Sequence, residues 1–161
     1  MENNKLIKHE AGLLKQVGNA INITNKLLLP NLRPLKILHL DDHLIFSKGV
    51  SNCIYKKFPN ATINFVQDGD KALEYVSHCL KNNELLDLII TDIIHPGLDG
   101  IEFSKAVREK EKNNECKIPI LFITMLDDKS MVRKAEEIPF TKYLLVSAPC
   151  EVINYAINSI I

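Results

Sequence analysis

The feature that most narrows the folds open to this chain is an alternation between two hydrophobic periods. Short apolar runs, "LKILHLD" (35–41), "ATINFVQ" (61–67), "LDLIITD" (86–92), "IPILFIT" (118–124) and "KYLLVS" (142–147), are separated by longer amphipathic stretches at 42–58, 69–82, 100–112, 128–137 and 150–160. The runs predict strands and the stretches between them predict helices. A strand that is apolar on nearly every residue has no side to turn toward water, so these strands are expected in a parallel sheet covered by helices on both faces. The expected class is α/β, a doubly wound five-stranded parallel sheet with right-handed crossovers.

Ahead of that alternation, residues 3–28 carry Leu6, Ile7, Leu13, Leu14, Val17, Ile21, Leu27 and Leu28 at helical spacings, and Pro30 and Pro34 stop the pattern. This predicts an N-terminal helical extension over 1–34 followed by one domain over 35–161. The series Leu6, Leu13, Val17, Ala20 and Leu27 offers two uses: covering an apolar patch on its own domain, or a homodimer contact with the same helix of a second chain.

At 161 residues the chain can bury a core without metals or disulfides as staples. Twenty basic and twenty acidic residues balance, so no global field draws it onto nucleic acid, and no direct nucleic-acid binding is expected. The basic residues Lys105, Arg108, Lys110 and Lys112 alternate with Glu102, Glu109 and Glu111, the pattern of a solvated helix face. No apolar run approaches the ~20 residues of a membrane span, and the start lacks a signal-peptide pattern, which predicts a soluble cytoplasmic chain. Cys53, Cys79, Cys116 and Cys150 show no metal-ligand spacing and are expected as reduced thiols.

In an open parallel sheet the loops after the strands gather along one edge. Asp41 and Asp42 end the first run, Asp92 the third and Thr124 the fourth. Taken singly, the acidic pair serves as helix caps, Asp92 as a turn residue before Pro96 and Gly97, and Thr124 as an ordinary strand residue. Taken together, three carboxylates in one crevice repel one another unless a hard divalent cation lies among them, and Mg2+ is the expected occupant. A carboxylate so placed can attack an activated phosphoryl group to give an acyl phosphate, and Asp92 is the best-placed nucleophile. The Thr124 hydroxyl can donate to a phosphoryl oxygen. His43 and His95 are expected to be hydrogen-bonded residues without a catalytic role.

The acidic pair in "ILHLDDH", the lone aspartate of "IITDIIHPGLDG" and the loop after it, in this order, resemble the receiver domain of two-component response regulators over about residues 35–160. The resemblance implies a flavodoxin-like, CheY-like fold with strand order 2-1-3-4-5. It implies that Asp42 holds Mg2+ directly and Asp41 partly through water. Asp92 is then both ligand and phosphoacceptor, the backbone carbonyl of Ile94 completes the metal set, and Thr124 is the switch hydroxyl. Also implied are an upstream histidine kinase or phosphotransfer protein, and a downstream protein target read through the fourth helix, fifth strand and fifth helix. Such a domain is not a standalone enzyme. The opening "DDHLIFSKGV" is similar to the subgroup whose members carry a helix-turn-helix effector, and no such domain is expected within these residues.

One departure bears on function. The family places a lysine before a proline at the end of the fifth strand, where this chain reads "TKYLLVSAPCEV". If Pro149 sets the register, Ala148 takes the lysine position and Leu145 that of an aromatic switch residue; with a two-residue shift these become Val146 and Tyr143. Lys142 begins the run, ~20 Å of extended chain from Ala148. Met125 and Ile94 are also larger or more apolar than relatives usually have. Without the ammonium a charge-assisted contact is lost. The expected function is Mg-dependent phosphoacceptance with altered switching. The alternative is a phosphorylation-independent pseudo-receiver acting as a protein interaction module. A small phosphohydrolase using Asp92 ranks last, for want of a second acid/base group.

Overall fold

In the computed structural model, which describes residues 33–112 and 117–161, five strands and five helices alternate along the chain. They are β1 (Lys36–Leu40), α1 (Leu44–Lys57), β2 (Thr62–Val66), α2 (Gly69–Asn82), β3 (Leu88–Thr91), α3 (Gly100–Lys110), β4 (Ile120–Thr124), α4 (Lys129–Glu136), β5 (Thr141–Leu145) and α5 (Cys150–Ile160). All pair in parallel, in the order β2-β1-β3-β4-β5. The predicted fold and strand order are therefore observed. The expected helix over 3–28, its dimer contact and Cys116 lie outside the described residues.

The period of two along each strand splits the core between the sheet's faces. Leu38, Leu40, Ile89, Ile120 and Phe122 pack with Ala72, Val76, Phe103, Val107 and Ala135 of α2, α3 and α4. Ile37, Leu88, Ile90, Leu121 and Ile123 pack with Val50, Ile54, Ile153, Ala156 and Ile157 of α1 and α5. Burial on both faces holds for β3 and β4 throughout and for β1 beyond Lys36, but not for the edge strands β2 and β5, which stay largely half-exposed. An edge strand has a neighbour on one side only, and the helices close over it less completely.

Local chemistry sets the ends of these elements. Asp68 and Asp128 cap α2 and α4, and Asp99 with Glu102 forms a capping box on α3. β5 stops two residues short of the expected 147. Val146 N–H donates to Thr124 O at 2.8 Å, and Ala148 N–H then turns back onto Leu145 O at 2.9 Å.

Two expectations need correction. Cys53 and Cys150 are not free thiols: the fold sets α1 beside α5 and the two residues form a disulfide, with Cα atoms 5.0 Å apart across a sequence separation of 97. Closing so long a loop corresponds to ~5 kcal/mol of unfolded-chain entropy in the simplest model. Cys79 is a buried free thiol.

Nor is the charged stretch of α3 wholly solvated. Glu111 is 0% exposed and accepts from Ile118 N–H at 2.6 Å and from Arg108 Nη1 at 2.5 Å. Arg108 also donates to Pro139 O, Ile118 O and Phe140 O. The guanidinium fork thus ties the end of α3 to the starts of β4 and β5, at the sheet edge opposite the aspartates. Phe140, held in this clamp, adopts a left-handed φ of 57°, unusual for so bulky a residue.

Removing one partner of this pair leaves a buried charge uncompensated. Arg108→Ala is expected to lower unfolding stability by ~3 kcal/mol or more, and the apolar double replacement Arg108→Met with Glu111→Leu by clearly less. Urea denaturation measures both, and a loss under ~1 kcal/mol for Arg108→Ala contradicts the clamp.

Candidate functional site

The β1–β3 register pairs Leu40 with Thr91, and Asp92 N–H closes onto Leu40 O at 3.0 Å. Asp41 and Asp92 therefore leave adjacent central strands at the same edge, with Asp42 next in the chain. Asp41 is 8% exposed, and its Oδ1 accepts His43 N–H at 2.7 Å. This is a local turn bond. His43 occupies the N-cap position of α1, and no side chain caps that helix, so neither aspartate does the capping work that each could do alone.

The electrostatics are those of crowded anions. Burial pushes the Asp41 carboxyl above the usual carboxylate range, hydrogen bonds from His43 and Ser47 pull it back, and the negative charge of Asp92 adds to the rise. His39, beneath it on β1, does not relieve this. Burial holds its imidazole down to about 4, and its Nε2 lies 4.0 Å from Asp41 Oδ2, too far for a hydrogen bond. Asp42 Oδ1 is buried without a hydrogen-bond partner. His43 Nδ1 lies 3.0 Å from that oxygen, a charge contact only when protonated, without hydrogen-bond geometry.

One oxygen from Asp41, one from Asp42 and a nitrogen of His43 come within 4.8 Å of one another. An unpartnered buried carboxylate oxygen beside a second carboxylate of raised pKa suits a hard cation, which takes oxygen ligands by preference. These donors fit Mg2+. Asp92 lies outside this triplet, yet near enough to raise Asp41. The Ile94 side chain is 61% exposed and Met125 65%, so both stand at the rim of the strand ends rather than in the core.

Asp92 Oδ1 accepts Ile93 N–H at 2.6 Å. Its main chain is held from beneath: Gly100 N–H donates to Ile93 O at 2.8 Å, and a Cβ at Gly100 would come 2.2 Å from Asp92 O. Gly97 turns the loop with a φ of 77°, where a Cβ would meet Asp70 and Asp68. The "HPGLDG" segment is thus shaped so that backbone can pack against backbone directly under the aspartate.

Thr124 is buried at the end of β4, and its Oγ1 accepts Leu126 N–H at 3.2 Å, which leaves the hydroxyl proton to donate. The Tyr143 hydroxyl donates to Leu126 O. Both polar groups therefore grip the peptide groups of one residue in the β4–α4 loop. Burial raises the Tyr143 phenol, with Asp127, Asp92 and Asp128 adding to it. Neither Val146 nor Ala148 carries a cation, and Lys142 donates to Ser159 of α5.

The sequence predicts His95 to be a hydrogen-bonded turn residue without a catalytic role. It is buried, with Nε2 3.3 Å from Thr91 Oγ1 and Nδ1 3.2 Å from Pro96 O, while Thr91 Oγ1 donates to Asp92 O at 2.7 Å. It packs under the loop that carries Asp92. The sequence signal was its place between Asp92 and the rigid Pro96. His43, in contrast, is exposed.

Residues 37–152 match the family model of the response regulator receiver domain. Among curated relatives, "Stress response regulator protein 1" of Debaryomyces hansenii is 34% identical over 93 residues, covering 58% of this chain and 36% of that one. The "Glycerol metabolism activator" of Pseudomonas putida is 29% identical over 126 residues, covering 78% and 53%. The chain thus spans about a third of one relative and about half of the other. The receiver domain of the histidine kinase CKI1 from Arabidopsis thaliana, complexed with Mg2+ and BeF3−, superposes with a TM-score of 0.67 at 23% identity, over 80% of this chain and 91% of that one. The chemotaxis response regulator CheY4 of Vibrio cholerae gives 0.61 at 24%, over 80% and 99%. At these identities the two structures speak to fold alone. No helix among the described residues is long and apolar enough to cross a membrane.

A carboxyl whose folded pKa is raised binds its proton more tightly when folded, so it contributes stability at low pH that is lost as pH rises through the carboxylate range. In metal-free buffer Asp41→Asn is therefore expected to be more stable than the native chain at pH 7, with the difference vanishing below about pH 4. Urea midpoints across pH measure it, and a variant less stable at pH 7 contradicts the crowding of Asp41.

Proposed function

Because the chain belongs to the response regulator receiver domain family, we propose that it relays a signal by accepting a phosphoryl group on Asp92 from a histidine kinase or phosphotransfer protein. Asp41, Asp42, Asp92 and the backbone carbonyl of Ile94 hold Mg2+ in this reading, within a receiver domain spanning 35–161. The observation that carries it is the convergence of Asp41 and Asp92 at one strand edge, close enough for one charge to raise the other's pKa. When bound, Mg2+ neutralises charge on the transferring phosphoryl oxygens. An Asp92 carboxylate oxygen attacks phosphorus, the bond to the donor nitrogen breaks, and the acyl phosphate remains on the chain. The Thr124 hydroxyl, acceptor to Leu126 N–H, has its proton to donate to a phosphoryl oxygen. Drawing Thr124 toward the phosphoryl group loosens its bond from Leu126 N–H, while Tyr143 keeps hold of the Leu126 carbonyl. Through Leu126, phosphorylation reaches the β4–α4 loop, and a protein target reads the changed face of α4, β5 and α5.

In this reading switching is altered, because neither Val146 nor Ala148 supplies the ammonium that the family sets beside the phosphoacceptor. The Tyr143 contact with Leu126 favours the shifted register, in which Val146 takes the place of the lysine. The same absence favours a second reading, a pseudo-receiver that binds its partner independently of phosphate.

Incubation with phosphoramidate and Mg2+ is expected to add one phosphoryl mass to the native chain and none to Asp92→Asn or to chelator-treated protein. Val146→Lys is expected to change the rate of labelling or of dephosphorylation by about tenfold, and Ala148→Lys by much less. Intact-protein mass spectrometry over time reads both. No labelling of the native chain, with partner binding retained, establishes the pseudo-receiver instead.

A further inference from the structure

The Cys53–Cys150 bond joins two segments that both lead out of the acidic pocket. Cys53 lies on α1, which the chain enters directly from Asp41, Asp42 and His43. Cys150 is the first residue of α5, entered from the turn 146–149 that follows β5. We propose that this pair is a reversible thiol–disulfide site, in exchange with a small thiol such as glutathione, and that its state sets the mobility of the β5–α5 turn.

Three observations carry the proposal. First, the helix pair does not need the bond to stay packed. Val50, Ile54, Ile153, Ala156 and Ile157 are buried between α1, α5 and the sheet, and Asn154 Nδ2 donates to Cys53 O at 3.1 Å one turn into α5. A receiver-sized domain with so continuous a core folds without a staple. Second, the turn is held by its backbone and by apolar packing, with no side-chain hydrogen bond of its own. Its backbone ties are Val146 N–H to Thr124 O, Ala148 N–H to Leu145 O, and the N–H groups of Val152 and Ile153 to Pro149 O; Val146 and Ala148 are half-buried against the α1–α5 core, Ser147 and Pro149 are exposed, and among the described residues no side chain of 146–149 makes a hydrogen bond. The disulfide is thus the covalent tether at its far end, beside the bonds that the Pro149 carbonyl accepts from α5. Third, access is unequal. Cys53 is buried, whereas Cys150 is half-exposed between exposed Pro149 and Glu151, so exchange enters at Cys150.

The step balances. A glutathione thiolate attacks Cys150 Sγ, the Cys53–Cys150 bond breaks, a mixed disulfide forms on Cys150, and Cys53 leaves as a thiolate that takes a proton. A second glutathione displaces Cys150, giving two protein thiols and one oxidised glutathione; oxidation runs the same sequence backward. Val146 and Ala148, the alternative positions of the one missing lysine, both lie in this turn. Any bearing on phosphoryl transfer rests on the function proposed above, whereas the exchange site and the turn's mobility do not.

The full chain is equilibrated in reduced and oxidised glutathione mixtures, quenched by alkylation and mapped by peptide mass spectrometry, with amide exchange followed in parallel. Cys53 and Cys150 are expected to become alkylatable together in one transition, with buried Cys79 protected in both states and the circular dichroism of the fold unchanged. Amides of Val146, Ser147, Ala148 and residue 150 are expected to exchange about tenfold faster in the reduced chain and in Cys150→Ser, while those of Ile54 and Ile153 stay slow. Independent alkylation of the two cysteines, loss of fold on reduction, or equal exchange of the turn in both states each overturns the proposal. None of these readouts involves phosphate, so a failure of labelling leaves this test intact.

Discussion

Every property of the acidic pocket depends on the register of β1 against β3. With Leu40 beside Thr91 and Asp92 N–H bound to Leu40 O, the next residue on each strand is an aspartate at the same sheet edge. A slip of one residue would send Asp92 toward the other face. The apolar side chains forbid that slip: Ile37, Leu88 and Ile90 must meet α1 and α5, while Leu38, Leu40 and Ile89 meet α2 and α3. Core packing thus buries Asp41 beside a second carboxylate, and its raised pKa reflects that burial first and the charge of Asp92 after it.

The loops after the strands convert this edge into a site. The 92–100 loop packs so closely that Gly100 lies directly against the Asp92 carbonyl, with buried His95 and Thr91 bracing the same peptide. On the neighbouring strands Thr124 and Tyr143 both bind Leu126, one at its N–H and one at its carbonyl. A change at the pocket that recruits Thr124 has therefore a short mechanical route into the β4–α4 loop. At the far edge, the Arg108–Glu111 clamp keeps the starts of β4 and β5 in place.

The alternation of periods made the sheet legible from sequence, and strand-end position assigned Asp41, Asp42, Asp92 and Thr124 to one sheet edge, because parallel strands deliver their carboxyl ends to the same side. What sequence hides is any partnership between distant residues whose types carry no spacing rule. Cys53 and Cys150 stand far apart in the chain and meet only because α1 and α5 share a face. Arg108 and Glu111 sit in a charge pattern indistinguishable from a solvated helix until the carbonyls of Pro139 and Phe140 come within reach. His95 looks like a polar loop residue, and only the tightness of the loop buries it. The edge strands were read as too deeply buried, since hydrophobicity does not reveal which strand lacks a neighbour.

The central claim is that acidic groups from the ends of β1 and β3 share one divalent cation. Paramagnetic broadening by Mn2+ in amide NMR spectra tests it most directly, because the effect falls off steeply with distance and needs no chemistry to occur. Selective loss of the signals of residues 41–43 together with 92–94, reversed by excess Mg2+, is the predicted result. Broadening confined to 41–43, with 92–94 untouched, contradicts it.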